Sequence, residues 1–134
     1  MKKPASQAQH QQRMSKVKHQ IDKQIAKADK EQGVAVLLTG NGKGKSSSAF
    51  GMLARSLGYG HNCGVVQFIK GDWECGEELF FSQHPLVSYH AMGAGFTWET
   101  QNQAADQAAA ENAWALAARL LADPSIDFLI LDEL

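Results

Sequence analysis

Cysteine and proline are scarce in this 134-residue chain, with two of the first and three of the second. Two thiols, Cys63 and Cys75, are too few for a disulfide scaffold, and so few prolines exclude a collagen-like or proline-rich low-complexity chain. No apolar run approaches the ~20 residues that a membrane helix needs. An excess of one charge is missing too, since 13 Lys and Arg stand against 14 Asp and Glu. With 44% hydrophobic residues, a net charge of −1 gives no self-repulsion to hold the chain open. The basic start Met1-Lys2-Lys3 has no apolar run behind it, so the chain reads as one soluble domain of a reducing, cytoplasmic compartment. Metal-ligand spacing is lacking among His10, His19, His61, His84 and His90, and neither cysteine has a partner cluster, which excludes a zinc site.

What the chain does have is an uneven distribution of charge. Residues 1–32 hold eight Lys or Arg and three acids, whereas 33–134 hold five and eleven, so a basic arm precedes an acidic body. In the arm Met14, Val17, Ile21 and Ile25 recur three and four apart, the narrow stripe of an amphipathic helix. Such a stripe needs a partner surface. It fits a solvated helix lying on its own body; a nucleic-acid arm would call for interleaved aromatics, which are absent. The first dozen residues, rich in Gln, Ala and Ser, are expected to be disordered.

At Gly33 the composition changes. Val34-Ala35-Val36-Leu37-Leu38 is a continuous apolar run, expected as a first strand buried on both faces of a parallel sheet. A glycine-rich turn, Gly40 to Gly44, follows, and Ala49, Phe50, Leu53 and Leu57 then repeat at helical spacing from Lys45 until Gly58 and Gly60 stop the helix. Val65 to Ile69 is a second strand, residues 70–85 have no clear period, and Leu86 to Met92 reads as a short strand. Thr100-Gln101-Asn102-Gln103 has the form of a capping box, opening an alanine-rich helix with Ala108, Leu116, Leu120 and Leu121 available to a core and ending at Asp123-Pro124. Phe128 to Leu131 is a further strand, running into Asp132-Glu133-Leu134. The pattern predicts an α/β fold with a mainly parallel sheet over 33–134, an N-terminal arm and helix over 1–32, and a sheet left incomplete at its C-terminal end.

Thr39-Gly40-Asn41-Gly42-Lys43-Gly44-Lys45-Ser46-Ser47 has the makings of a P-loop. Glycines let successive backbone N–H groups converge on phosphate oxygens, Lys45 would neutralise a terminal phosphate, and the Ser46 hydroxyl would ligate a divalent cation. The usual spacing has four residues between the glycines; here only three separate Gly40 from Gly44. Four apolar residues before Asp132-Glu133 form the acidic strand end that such a site needs, because neighbouring parallel strands bring their carboxyl ends to one crevice. Phe96 and Trp98 stand two apart before the alanine-rich helix, where they could clamp a flat ligand or anchor that helix in the core.

Together Thr39 to Ser47, Gly64 to Gly71, Gly95 to Gln101 and Leu131 to Leu134 resemble the ATP:corrinoid adenosyltransferases of the CobA type, whose own loop has the Gly-Asn-Gly-Lys-Gly-Lys form. The resemblance implies a P-loop, RecA-like nucleotide-binding core that transfers the 5′-deoxyadenosyl group of ATP to Co(I) of a corrinoid and releases triphosphate. It implies Mg²⁺ or Mn²⁺ held by Ser46 and Glu133, and ATP held by Gly40, Asn41, Gly42, Lys43, Gly44, Lys45, Ser46 and Ser47, with Arg55 a further nucleotide contact. Lys45 would be the catalytic residue, stabilising the leaving triphosphate. Phe96 and Trp98 would close over the corrinoid, a homodimer would let the N-terminal helix cover the neighbouring subunit's corrinoid, and a flavoprotein would supply the reductant. Neither nucleic acid nor membrane is implied as a partner. From the residues alone, a P-loop NTPase or kinase and a noncatalytic nucleotide- or corrinoid-binding fragment stay open, and the product separates them: triphosphate in one case, phosphate or diphosphate in the other.

Overall fold

The computed structural model describes residues 6–69, 74–92 and 103–134. The chain divides into two units, Met1–Leu37 and Leu38–Leu134.

In the first unit a helix, α1, spans Gln7–Ile25. It begins earlier than the expected disorder over the first dozen residues allows, because Ser6 and Gln9 make a capping box. The Gln9 amide donates to Ser6 Oγ at 3.4 Å and the Ser6 amide donates to Gln9 Oε1 at 3.0 Å, satisfying two otherwise orphan donors. Its apolar stripe has the anticipated spacing, but none of its residues is buried.

The expected strand at Val34–Leu38 does not form, and this corrects the reading of that segment. Val34, Val36 and Leu37 are 76%, 63% and 85% exposed. The physical reason is that a strand exists only as one side of a hydrogen-bonded ladder. The ladders among the described residues are made by three other strands with one another.

In the second unit, α2 (Lys45–Gly58) leads to β1 (Cys63–Gln67), α3 (Gly76–Phe81), β2 (Val87–Ala91), α4 (Gln103–Ala122) and β3 (Phe128–Asp132). The sheet has the order β2-β1-β3 with both pairs parallel. Parallel neighbours need crossovers, and α3 and α4 lie in those connections. Strand β1 sits two residues earlier than Val65–Ile69: Cys63 pairs with both Val87 and Phe128, which draws Cys63 and Gly64 into the ladder. The helix α3 falls within a stretch read as irregular; Glu77 and Glu78 in its first turn favour the helix N-terminus, and its Phe81 is buried.

Helices cover both faces of the sheet. On one face Phe50 and Leu53 of α2 and Phe81 of α3 pack with Cys63, Val65 and Ile130. On the other, Ala113 and Ala117 of α4 pack against Val66, with Leu116, Leu120, Leu129 and Leu131 at the margin. The small alanines, rather than the expected Leu121, which is 76% exposed, make the closest approach. Gly64 serves the same approach, since a Cβ there would lie 2.8 Å from Leu129 Cδ1 and 3.5 Å from Leu120 Cδ1. Each fully buried side chain of Leu or Val size contributes about 1.5–3 kcal/mol. The alternation fixes the site: Cys63, Val65 and Gln67, like Phe128, Ile130 and Asp132, face α2, so the polar members of both series arrive together at the strand ends.

Candidate functional site

The loop before α2 is shaped by its glycines. Gly40 and Gly44 have φ of 139° and 104°, values that side chains disfavour. Gly44 is the N-cap of α2 and supplies no side-chain acceptor, so the first-turn N–H groups of the helix remain available at its positive end. The Gly44 carbonyl accepts from the Ser48 amide at 2.9 Å and the Ser48 hydroxyl at 2.7 Å. Lys45 folds back over the loop, its Nζ donating to the Gly40 carbonyl at 2.9 Å and the Gly42 carbonyl at 2.8 Å. Asn41, Lys43 and Ser47 are exposed around this clasp.

The strand end and the loop meet at Ser46 through Asp132, rather than through Glu133, the acid expected to share a cation with it. The half-buried Ser46 hydroxyl donates to Asp132 Oδ1 at 2.9 Å. The other carboxylate oxygen, Oδ2, accepts from Gln67 Nε2 at 3.1 Å, and Gln67 Oε1 accepts from the Tyr89 hydroxyl at 2.9 Å. Burial pushes the Tyr89 phenol well above its ordinary pKa, with Cys75, Glu78 and Asp132 nearby adding to the shift. The Cys63 thiol is raised by burial and by Asp127. It is unused at this site, and its Sγ faces the His61 carbonyl at 3.4 Å.

The adjacent acids have different surroundings. Glu133 has φ of 58°, and it lines a cavity of about 600 Å³ together with Phe68, Ile69, Trp114 and Leu134. Asp132 is the acid hydrogen-bonded to Ser46. Arg55 is not brought to the loop: it lies in the last turn of α2, about 15 Å along the axis from Lys45, with its guanidinium 6.0 Å from the Tyr59 ring centroid. Phe96 and Trp98, and Thr100 to Asn102 of the expected capping box, lie outside the described residues.

Gln67 and Tyr89 were not singled out from sequence. The signal for Gln67 was present, because a lone amide within Val65-Val66-Gln67-Phe68 must find partners if that strand is buried. Tyr89 left no comparable trace.

The donor set suits a hard, oxygen-preferring cation, for which a hydroxyl and one or two carboxylates suffice when phosphates supply further ligands. Among the described residues no cluster of three or more His, Cys, Asp or Glu could hold a metal unaided. No helix among them is long and apolar enough to cross a membrane.

A parallel α/β sheet, a glycine-rich loop opening a helix, and an acidic strand end bonded to that helix's first turn define a class of domain built around the carboxyl ends of its strands. The chain belongs to the ATP:corrinoid adenosyltransferase BtuR/CobO/CobP family, whose family model matches residues 31–134. It is 56% identical over 132 residues to a corrinoid adenosyltransferase of Pseudomonas aeruginosa, covering 98% of this chain and 65% of that protein. It is 50% identical over 129 residues to the corrinoid adenosyltransferase CobA of Salmonella typhimurium, covering 96% and 65%, and 46% identical over 129 residues to a corrinoid adenosyltransferase of Escherichia coli, with the same coverage. The chain thus spans a little under two thirds of the length of these curated relatives.

Proposed function

We propose that this chain binds ATP with a divalent cation in a P-loop, RecA-like core over 33–134 and transfers the 5′-deoxyadenosyl group to the Co(I) centre of a corrinoid, releasing triphosphate. The observation that carries this reading is the 2.9 Å hydrogen bond from Ser46 to Asp132 beneath the Lys45 loop, in a chain of this family.

In this reading the amides from Gly40 to Ser47 surround the triphosphate, and the Lys45 ammonium exchanges its two carbonyl partners for phosphate oxygens. Ser46 with Asp132 and Glu133 would hold Mg²⁺ or Mn²⁺, which when bound offsets negative charge on the phosphates. The cobalt of the substrate is itself the nucleophile: its electron pair forms the bond to the ribose 5′ carbon while the carbon–oxygen bond to triphosphate breaks. No side-chain nucleophile or general base is required. The protein's part is to align the two substrates and to stabilise charge growing on the leaving triphosphate, chiefly through Lys45 and the loop amides.

Phe96 and Trp98 would close over the corrinoid, and the Met14, Val17, Ile21, Ile25 stripe of the 1–32 arm would cover the corrinoid of a neighbouring subunit in a homodimer. The reaction needs an electron donor for cobalt, a role suited to a flavoprotein in the cytoplasm.

The test is to incubate the protein with ATP, Mg²⁺ and chemically reduced cobalamin, following the light-labile cobalt–carbon spectrum and the phosphate products. Triphosphate formed in step with the light-labile product is expected. Phosphate or diphosphate without that product would reject this reading in favour of an NTPase or kinase.

A further inference from the structure

We propose that Tyr89 and Gln67 are positioning residues for the cation-binding part of the nucleotide site: through two hydrogen bonds they hold Asp132 so that the Ser46 oxygen is presented as a ligand. This rests on the nucleotide reading above and adds to it two side chains outside the loop and the acid pair.

The direction of every bond in the chain follows from chemistry. Asp132 Oδ2 accepts here, with the Gln67 amide turning its NH₂ toward it and Nε2 lying at 3.1 Å. That leaves Gln67 Oε1 facing Tyr89, and an amide oxygen only accepts, so the phenol must donate across 2.9 Å. With Oδ2 engaged, Oδ1 takes the Ser46 proton at 2.9 Å, and the lone pairs of Ser46 are left for a cation. Reversing any member would place two acceptors or two donors face to face.

The arrangement is held by the sheet. Gln67 and Asp132 are register partners on neighbouring strands, and Tyr89 comes from the third strand, two positions before Ala91, the partner of Gln67. The relay therefore crosses β2, β1 and β3 in their spatial order and ends on the first turn of α2. Gln67 is the buried polar residue of the described core, at 8% exposure, so water cannot readily replace a lost partner. The Tyr89 ring is also fixed from below, stacked 6.4 Å from Phe50. Outer partners of this kind orient the groups that touch a cation, and removing one commonly costs on the order of 10–100-fold in metal affinity.

The test measures Mn²⁺ binding by electron paramagnetic resonance with saturating ATP, and ATP binding separately in EDTA, for the wild-type chain and for Tyr89→Phe and Gln67→Met. Thermal melts establish that each variant is folded. Both variants are expected to weaken Mn²⁺ binding about 10-fold. Their ATP affinity in EDTA should stay within about twofold of wild type. Because Tyr89 is argued to act through Asp132, adding Tyr89→Phe to Asp132→Asn should change Mn²⁺ affinity by less than about twofold, whereas a merely structural role would repeat the full loss. Wild-type Mn²⁺ affinity in both single variants, or an undiminished Tyr89→Phe effect in the Asp132→Asn background, would overturn the positioning role while leaving the nucleotide reading intact. A wild-type chain that binds neither ATP nor Mn²⁺ with ATP would overturn that reading, and this inference with it.

Discussion

Two uninterrupted apolar runs meet different fates in this chain. Val34-Ala35-Val36-Leu37-Leu38 leads into the glycine-rich loop, and Phe128-Leu129-Ile130-Leu131 leads into the acid pair. The second is a strand with Ile130 only 5% exposed; the first is not a strand, and its Leu37 is 85% exposed. The difference is one of neighbours. β3 pairs with β1 along its whole length, while α2 and α4 supply side chains to its two faces. A run of branched apolar residues is thus permission to be a strand, and pairing decides.

The comparison can be broken at its strongest point first. Ile130→Ala should destabilise the protein by about 2–5 kcal/mol, read from denaturant midpoints, because the cavity it leaves sits between β3 and α2. Next, although the run before it is unpaired, the Lys45 loop is ordered by its own hydrogen bonds. For the proposed reaction, Lys45→Ala should lower the adenosylation rate on the order of 10²-fold and, because Lys45 is exposed, leave the melting temperature near that of wild type. Near-normal adenosylation would remove Lys45 from the mechanism. Val36→Ala, at a residue 63% exposed, should change stability by no more than about 0.5 kcal/mol; a loss as large as that of Ile130→Ala would mean that the two runs are equally packed.

The smallest effect concerns the turn that delivers β3. Asp123 accepts from the Ser125 hydroxyl at 2.7 Å and the Ser125 amide at 2.8 Å, and these bonds hold its carboxyl below the usual aspartate range. A depressed folded-state pKa gives stability that is present above the unfolded value, about 3.9, and is lost as pH falls through the lower folded value. Wild type should thus exceed Asp123→Asn slightly near neutrality in urea titrations, with the gap closing under acid.

Much of this arrangement is legible in the residues themselves. The glycine-rich loop, the helix after it and the strand ending in Asp132 follow from local patterns, because glycine dihedrals, helical spacing and strand ends are set within a few residues, whereas the meeting of Ser46 with Asp132 rather than Glu133 is a long-range contact. The unpaired Val34–Leu38 run, the two-residue shift of β1 and the short α3 were not legible. Each depends on what lies across a ladder or on the far side of the sheet, which no window of sequence contains. Ser6 and Gln9 carried a readable capping signal that the polar composition around them obscured.

The clasp of Lys45 on two carbonyls of its own loop has one more consequence. On the nucleotide reading proposed above, an ammonium already tethered twice would act as a built-in placeholder for a polyanion, keeping the backbone curled before any guest arrives. Association would then swap one set of bonds for another instead of creating them afresh, so a methylated lysine, still cationic but with fewer protons to share, would loosen the resting curl and the occupied one alike.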